Sequence, residues 1–138
     1  MVDIILSCNN GAEIYKLPIP PEELPQISKS YGNTTITTAN KELTVIGVGK
    51  RKSFTFEFLV PEYAGKYRWA RVFNYDNAMD YYRWLESVAD RRIPLRMIAF
   101  NGFEELINIA LAIDSLSFVI TRQLDVKISM SVSEFCFT

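Results

Sequence analysis

No histidine occurs anywhere in this sequence. That removes the commonest general base and metal ligand, and it excludes a Cys/His or Ser/His nucleophile. Cysteine is almost as scarce. Cys8 and Cys136 cannot make a disulfide framework or build a structural zinc site by themselves. Both sit in strand-like contexts and read as reduced core or half-core thiols, which fits synthesis in a cytoplasm. A basic surplus is missing too: 15 Lys and Arg stand against 16 Asp and Glu, for a net charge of -1. No broad positive field exists to attract nucleic acid. No apolar run approaches the length of a membrane span, and Met1-Val2-Asp3-Ile4-Ile5-Leu6 lacks the basic start and full apolar core of a secretory signal. Neither nucleic-acid recognition nor membrane insertion is expected.

Reactive constellations are also lacking. Glu104-Glu105 is the densest late carboxylate pair, but neighbours in an extended segment point to opposite faces and do not share a substrate. Gly47-Val48-Gly49-Lys50-Arg51-Lys52 has neither the P-loop nor the dinucleotide spacing, and no strand-to-helix context follows it. It reads as a flexible basic loop. The expectation is a protein with no catalytic residue, no metal and no cofactor. A histidine-free enzyme is one alternative class. A barrel with an apolar ligand pocket around Phe54, Phe56 and Phe118 is another.

What the sequence has in quantity is alternation. Its 138 residues favour one domain, 1–138, with a real core. Val126, Ile128, Met130 and Val132 alternate with Lys127, Ser129, Ser131 and Ser133. Leu116, Phe118 and Ile120 alternate with Ser115 and Ser117. Period two marks half-buried strands, and the shared parity predicts Phe118 opposite Ile128 and Leu116 opposite Met130. Arg122-Gln123-Leu124 is left as a three-residue turn, without the glycine such a loop commonly uses. Phe54, Phe56, Phe58 and Val60 form a third alternating set that Pro61 stops. Further strands are expected over Ile4–Cys8, Glu13–Leu17, Ile27–Thr38, Leu43–Ile46 and Leu95–Phe100, with turns at Asn9-Asn10-Gly11 and Asn101-Gly102. The segment from Pro18 to Pro25 carries four prolines and reads as a stiff connector. Ile107, Ile109, Leu111 and Ile113 have odd parity whereas Leu116 to Ile120 is even. A β-bulge or a change of sheet, with a bend, is required at Asp114-Ser115.

One helix is expected, about residues 77–91. Asn77 caps it, Asp80 lies near its positive end, and Ala78, Tyr81, Tyr82, Leu85, Val88 and Ala89 form the buried stripe. Asp80, Arg83, Glu86 and Asp90 form the wet face, and Pro94 ends it. The fold class is mainly β with one flanking helix, an antiparallel barrel or sandwich. The irregular segment 62–75 mixes Tyr63, Tyr67, Trp69, Phe73 and Tyr75 with Arg68 and Arg71, a composition that protein interfaces favour.

Three stretches, in order and spacing, carry a resemblance. They are Ile14-Tyr15-Lys16-Leu17-Pro18-Ile19-Pro20-Pro21-Glu22-Glu23; Glu42 to Gly47 with Ser53 to Pro61 after the basic loop; and Ile113 to Phe118 with Asp125 to Phe135. Together they resemble the N-terminal domain of the LysM-type baseplate proteins of phage tails, defective prophages and contractile bacteriocins (tailocins). The resemblance implies a tail-tube-like fold and a structural, non-enzymatic role. It implies a homo-oligomeric ring, expected to be a hexamer, that adapts the tail tube to the central baseplate hub. Tape-measure, sheath-initiator and wedge proteins are further partners it suggests. The chain would be made in the bacterial cytoplasm and assembled into the particle; the tail tube protein itself is a close alternative. Longer relatives continue into a LysM module where this chain stops at Thr138, so contacts made through LysM are not expected. Candidate subunit-interface residues are Thr34, Thr35, Ile36 and Thr37, the basic run Lys50, Arg51 and Lys52, and Tyr67 and Trp69. Ser129, Ser131 and Ser133 are candidates to line a wet lumen.

Overall fold

Two apolar sets of opposite parity meet at Asp114, and the backbone reconciles them within one strand. The structure, a computed structural model, describes residues 2–19, 21, 23–67 and 75–135. The strand in question, Glu104–Ile120, runs through the conflict without a break. Its register against the next strand shifts between Ile113 and Ser115. Asp114 is thus the extra residue of a bulge, and Ile113 and Leu116 stand beside Val132 and Met130 on one face.

In chain order the elements are β1 (Val2–Cys8), β2 (Glu13–Lys16), β3 (Thr34–Thr37), β4 (Glu42–Val45), β5 (Ser53–Val60), α1 (Met79–Asp90), β6 (Leu95–Asn101), β7 (Glu104–Ile120) and β8 (Val126–Glu134). Six strands form an antiparallel sheet in the order β2-β1-β6-β7-β8-β5. The sheet does not close into a barrel. Among the described residues, the connector after β2 reaches β5 at an isolated bridge, Ile19 to Leu59. The proline-rich connector explains this: proline offers no ladder donor, so pairing beyond β2 stays local. Pro20 and Glu22 of that connector, Arg68 to Asn74, and Cys136 to Thr138 lie outside the described residues.

The core is the helix-facing side of this sheet. Phe54, Phe56, Phe58 and Val60 are buried, as are Val126, Ile128, Met130 and Val132 on the paired strand. Each buried phenylalanine contributes about 1.5–3 kcal/mol relative to exposure. Phe56 is enclosed and Phe118 lies at the surface, so Phe54, Phe56 and Phe118 do not surround a common pocket. Register follows the alternation, with Phe118 opposite Ile128 and Leu116 opposite Met130. Burial does not follow it to the end of β7. Leu116 is half-buried, and Phe118 and Ile120 are exposed; from the helix, Tyr82 reaches this corner, its ring 4.5 Å from that of Phe118.

The helix is shorter at its start than its sequence pattern suggests. Asn77 still caps it: its Oδ1 accepts from the Met79 N–H (3.0 Å), and Asp80 Oδ2 accepts from the Asn77 N–H (3.2 Å). Ala78, Tyr81, Trp84, Leu85 and Val88 are buried; Tyr82 and Ala89 are only half-buried. Trp84 is missing from the stripe read from the sequence. It stacks on Tyr15 at 4.3 Å, and its indole N–H finds an acceptor in Glu13.

The long strand expected over Ile27–Thr38 is not formed. Only Thr34–Thr37 is strand, with isolated bridges at Ser28 and Tyr31. It pairs with β4 alone, as a two-stranded ribbon apart from the main sheet. Its foot is a close backbone crossing. A Cβ placed on Gly47 would lie 2.0 Å from the Gly32 carbonyl oxygen, so no other residue fits there.

Both hairpin turns of β7 adopt the geometry their lengths demand. Gly102 opens the two-residue loop to β7 at φ +62°. In the loop 122–124 the residue with positive φ is Leu124, at +68°, where glycine would be unstrained. Thr121 and Asp125 close that loop through the Asp125 carbonyl (2.8 Å). Leu124 is exposed. Leu124→Gly is therefore expected to raise stability by about 0.5–1 kcal/mol in urea melts; a loss of stability would show that the Leu124 side chain supports the turn.

Candidate assembly surface

The outward face of the ribbon is built by its register. Ile36 pairs with Leu43 and Thr34 with Val45, so these four share one face; Thr35, Thr37 and Thr44 share the other. One face is apolar and the other is a threonine row, yet every residue of both strands is exposed. Ile36, Leu43 and Val45 are 50%, 43% and 46% exposed. The foot is tied by Gly32 N–H to Val48 C=O (3.1 Å), Gly47 N–H to Asn33 Oδ1 (2.9 Å) and Lys50 N–H to Ser30 C=O (2.7 Å). Lys50, Arg51 and Lys52 lie at this foot, exposed, and no ion pair holds them among the described residues.

A second open feature is β7 itself. Residues 104–111 pair with β6 and residues 111–120 with β8. Among the described residues only Leu111 has strand partners on both sides, and just beyond it the Phe135 N–H donates to Ala110 C=O (2.8 Å). Among the described residues, one backbone edge is open along most of each half, and the two open edges lie on opposite sides of the strand. Sheet edges of this kind are templates for pairing with another chain.

On the side of the sheet away from the core, Ser133, Ser131 and Ser129 stand between Ser53, Thr55 and Glu57 of β5 and Ala112, Ser115 and Ser117 of β7. The three serines are partly exposed within this polar sheet face. Ser133 Oγ donates to Asp114 Oδ1 at 3.2 Å, which fastens the bulge.

Two buried or half-buried carboxylates tie the loops down. Asp125, 3% exposed, accepts from Tyr67 Oη (2.7 Å), Lys66 Nζ (2.9 Å) and the Glu62 N–H (2.9 Å). Burial pushes its carboxyl upward, but these donors together outweigh burial and hold it below the usual range. Tyr67, a candidate interface residue, thus has its hydroxyl engaged within its own chain; Trp69 lies outside the described residues. Glu13 accepts a two-pronged Arg91 pair (2.9 and 3.1 Å), the Trp84 indole N–H (3.2 Å), Asn9 Nδ2 (3.0 Å) and the Cys8 thiol (3.2 Å). The Arg91 hydrogen bonds, with the others, lower its pKa to about 2. Burial, and then the Glu13 carboxylate, push the Cys8 thiol up to about 11, which leaves it protonated and inert at neutral pH. Both nodes were invisible in the sequence, since Glu13 and Arg91 lie 78 residues apart and Lys66 and Asp125 lie 59 apart. The described residues include no cluster of three or more His, Cys, Asp or Glu that could hold a metal, and no helix among them is long and apolar enough to cross a membrane.

The fold is that of a mainly β domain with one helix, open strand edges and a projecting ribbon. No protein-family model matches the chain, and no curated protein matches it. Among solved structures it is similar to a chain in the cryo-EM structure of an anti-feeding prophage baseplate, determined with sixfold symmetry. The match has a TM-score of 0.56 at 7% identity and covers 98% of this chain and 89% of that one. At that identity the likeness concerns the fold.

Two outcomes follow from the carboxylate nodes. Asp125→Ala removes the acceptor shared by the Lys66 ammonium, the Tyr67 hydroxyl and the Glu62 N–H, while Lys66 keeps the Gln123 carbonyl and the Glu62 carboxylate; it is expected to cost about 1–3 kcal/mol in denaturant melts, and a cost near zero would mean that water replaces the carboxylate freely. Because Glu13 and Asp125 both have depressed pKa values in the folded state, their stabilisation is complete above the ordinary carboxylate range near 4.5 and is lost as pH falls toward 2. Thermal melts from pH 6 to pH 2 should show this loss, blunted in Glu13→Gln.

Proposed function

We propose that this chain is a structural subunit of a phage-tail or tailocin baseplate, acting by assembly and not by catalysis. The observation that carries the reading is β7, a long strand whose two halves, among the described residues, each leave a backbone edge open, on opposite sides. A subunit with two different open edges pairs head to tail with copies of itself, and such contacts close into a ring when the rotation per step divides a full turn. The likeness to a prophage baseplate chain over nearly the whole length supports the same reading.

The finer role we propose is a ring, sixfold, that adapts the tail tube to the central hub, in the manner of the LysM-type baseplate proteins that the sequence resembles. Its partners are then the tube protein on one side and the hub on the other, with the tape measure and the sheath-initiator or wedge proteins nearby. The serine face of Ser129, Ser131 and Ser133 is suited to a wet lumen, and the ribbon with Lys50, Arg51 and Lys52 is suited to a neighbouring subunit. Synthesis in the bacterial cytoplasm precedes incorporation into the particle. The tube protein itself would share this fold, and copy number separates the two.

Quantitative mass spectrometry of purified particles, with cryo-EM of their tips, tests this. An adaptor is expected at about one ring per particle, near the tip. Many rings along the tail would identify the tube protein, and absence from particles would overturn both.

A further inference from the structure

We infer that the apolar face of the β3–β4 ribbon docks on the β6–β7 turn of an identical neighbour. This rests on the ring-subunit reading and specifies where one of its contacts falls.

The ribbon cannot be explained by its own chain. A two-stranded ribbon is marginal in water unless its apolar face is covered. Here Ile36, Leu43 and Val45 share a face that stays about half exposed among the described residues. The glycine crossing pins the two legs of the ribbon together at its foot, and the Ser28–Ser53 bridge ties them to the start of β5.

Charge selects the occupant. Between Lys29 and Lys52 five cations accompany one carboxylate, a surplus of four positive charges, while the rest of a chain of net charge -1 carries a surplus of five negative ones. A positive apolar arm on a negative body is complementary to another copy of the same body. Among the described residues, the β6–β7 turn of the body has the matching chemistry. At the β6–β7 turn Phe103 is fully exposed, Leu106 is 43% exposed, and Glu104 and Glu105 flank them. Neither carboxylate takes part in an ion pair among the described residues. Phe103 is a large aromatic anchor of the type that dominates protein interfaces. The arm and the turn are different surfaces, so the contact is heterologous and propagates around a ring instead of closing a dimer.

Charge reversal tests the pairing by sedimentation at rising concentration and by incorporation into tail particles. Lys50→Glu with Arg51→Glu and Lys52→Glu, or Glu104→Lys with Glu105→Lys, should each weaken self-association by about tenfold or more. All five substitutions together should restore it. Ile36→Asp, at an exposed site, should weaken it with an unchanged thermal melt. Wild-type association that neither reversal disturbs, or reversals that the combined variant fails to rescue, would overturn this docking while leaving the ring reading in place. A wild-type chain that never associates and never enters particles would overturn both.

Discussion

The parity conflict at Asp114 is the constraint on which the rest of the structure depends. Without the extra residue, either Ile107 to Ile113 or Leu116 to Ile120 would face the wrong side of the sheet, because strand side chains alternate with period two. The bulge lets one strand of 17 residues serve two half-sheets, β2-β1-β6 on one side and β8-β5 on the other. Among the described residues, each half of that strand leaves one edge open. The same feature that completes the core therefore creates the surfaces by which copies could pair.

The loops are held by charge as well as by the apolar packing of Leu17, Leu24, Ile27 and Ile93. Asp125 gathers Tyr67, Lys66 and the Glu62 backbone, and Glu13 gathers Arg91, Trp84, Asn9 and Cys8. Each node joins segments that are distant in sequence, at points where strand pairing ends. The first holds the loop after β5 against the β7–β8 hairpin; the second holds the β1–β2 hairpin against the end of the helix. Removing either carboxylate takes an acceptor from several donors at once, which is why such nodes are costly to break even when their net contribution is modest.

Much of this was legible in the sequence, and the reasons for the misses are specific. β5, β8 and the β7–β8 register follow from apolar alternation, which is a local signal, and the bulge follows from a parity mismatch within one stretch. The ribbon was misjudged because threonine suits a strand sterically without saying what the strand pairs with. Gly47 read as part of a flexible loop and Gly32 as part of the strand expected over Ile27–Thr38, whereas the two meet in a close backbone crossing that only three dimensions reveal. The corner at Phe118 and Ile120 was expected to be buried from pattern alone, and whether the helix reaches that far is not encoded in alternation. The left-handed turn residue was correctly sensed as a need, but it fell to Leu124 and not to a glycine. No local motif marks Glu13 or Asp125 as a hub, since their partners are assembled by the fold.

The central claim is that the two open edges of β7 and the ribbon are covered by other copies in the assembled particle. Backbone amide hydrogen exchange, compared between the free chain and the chain within purified particles, tests it most directly. Strong slowing on assembly is expected along both halves of β7 and within residues 34–45, with little change in β1 or β5. Exchange in β7 and the ribbon that is as fast in particles as in the free chain would contradict the account.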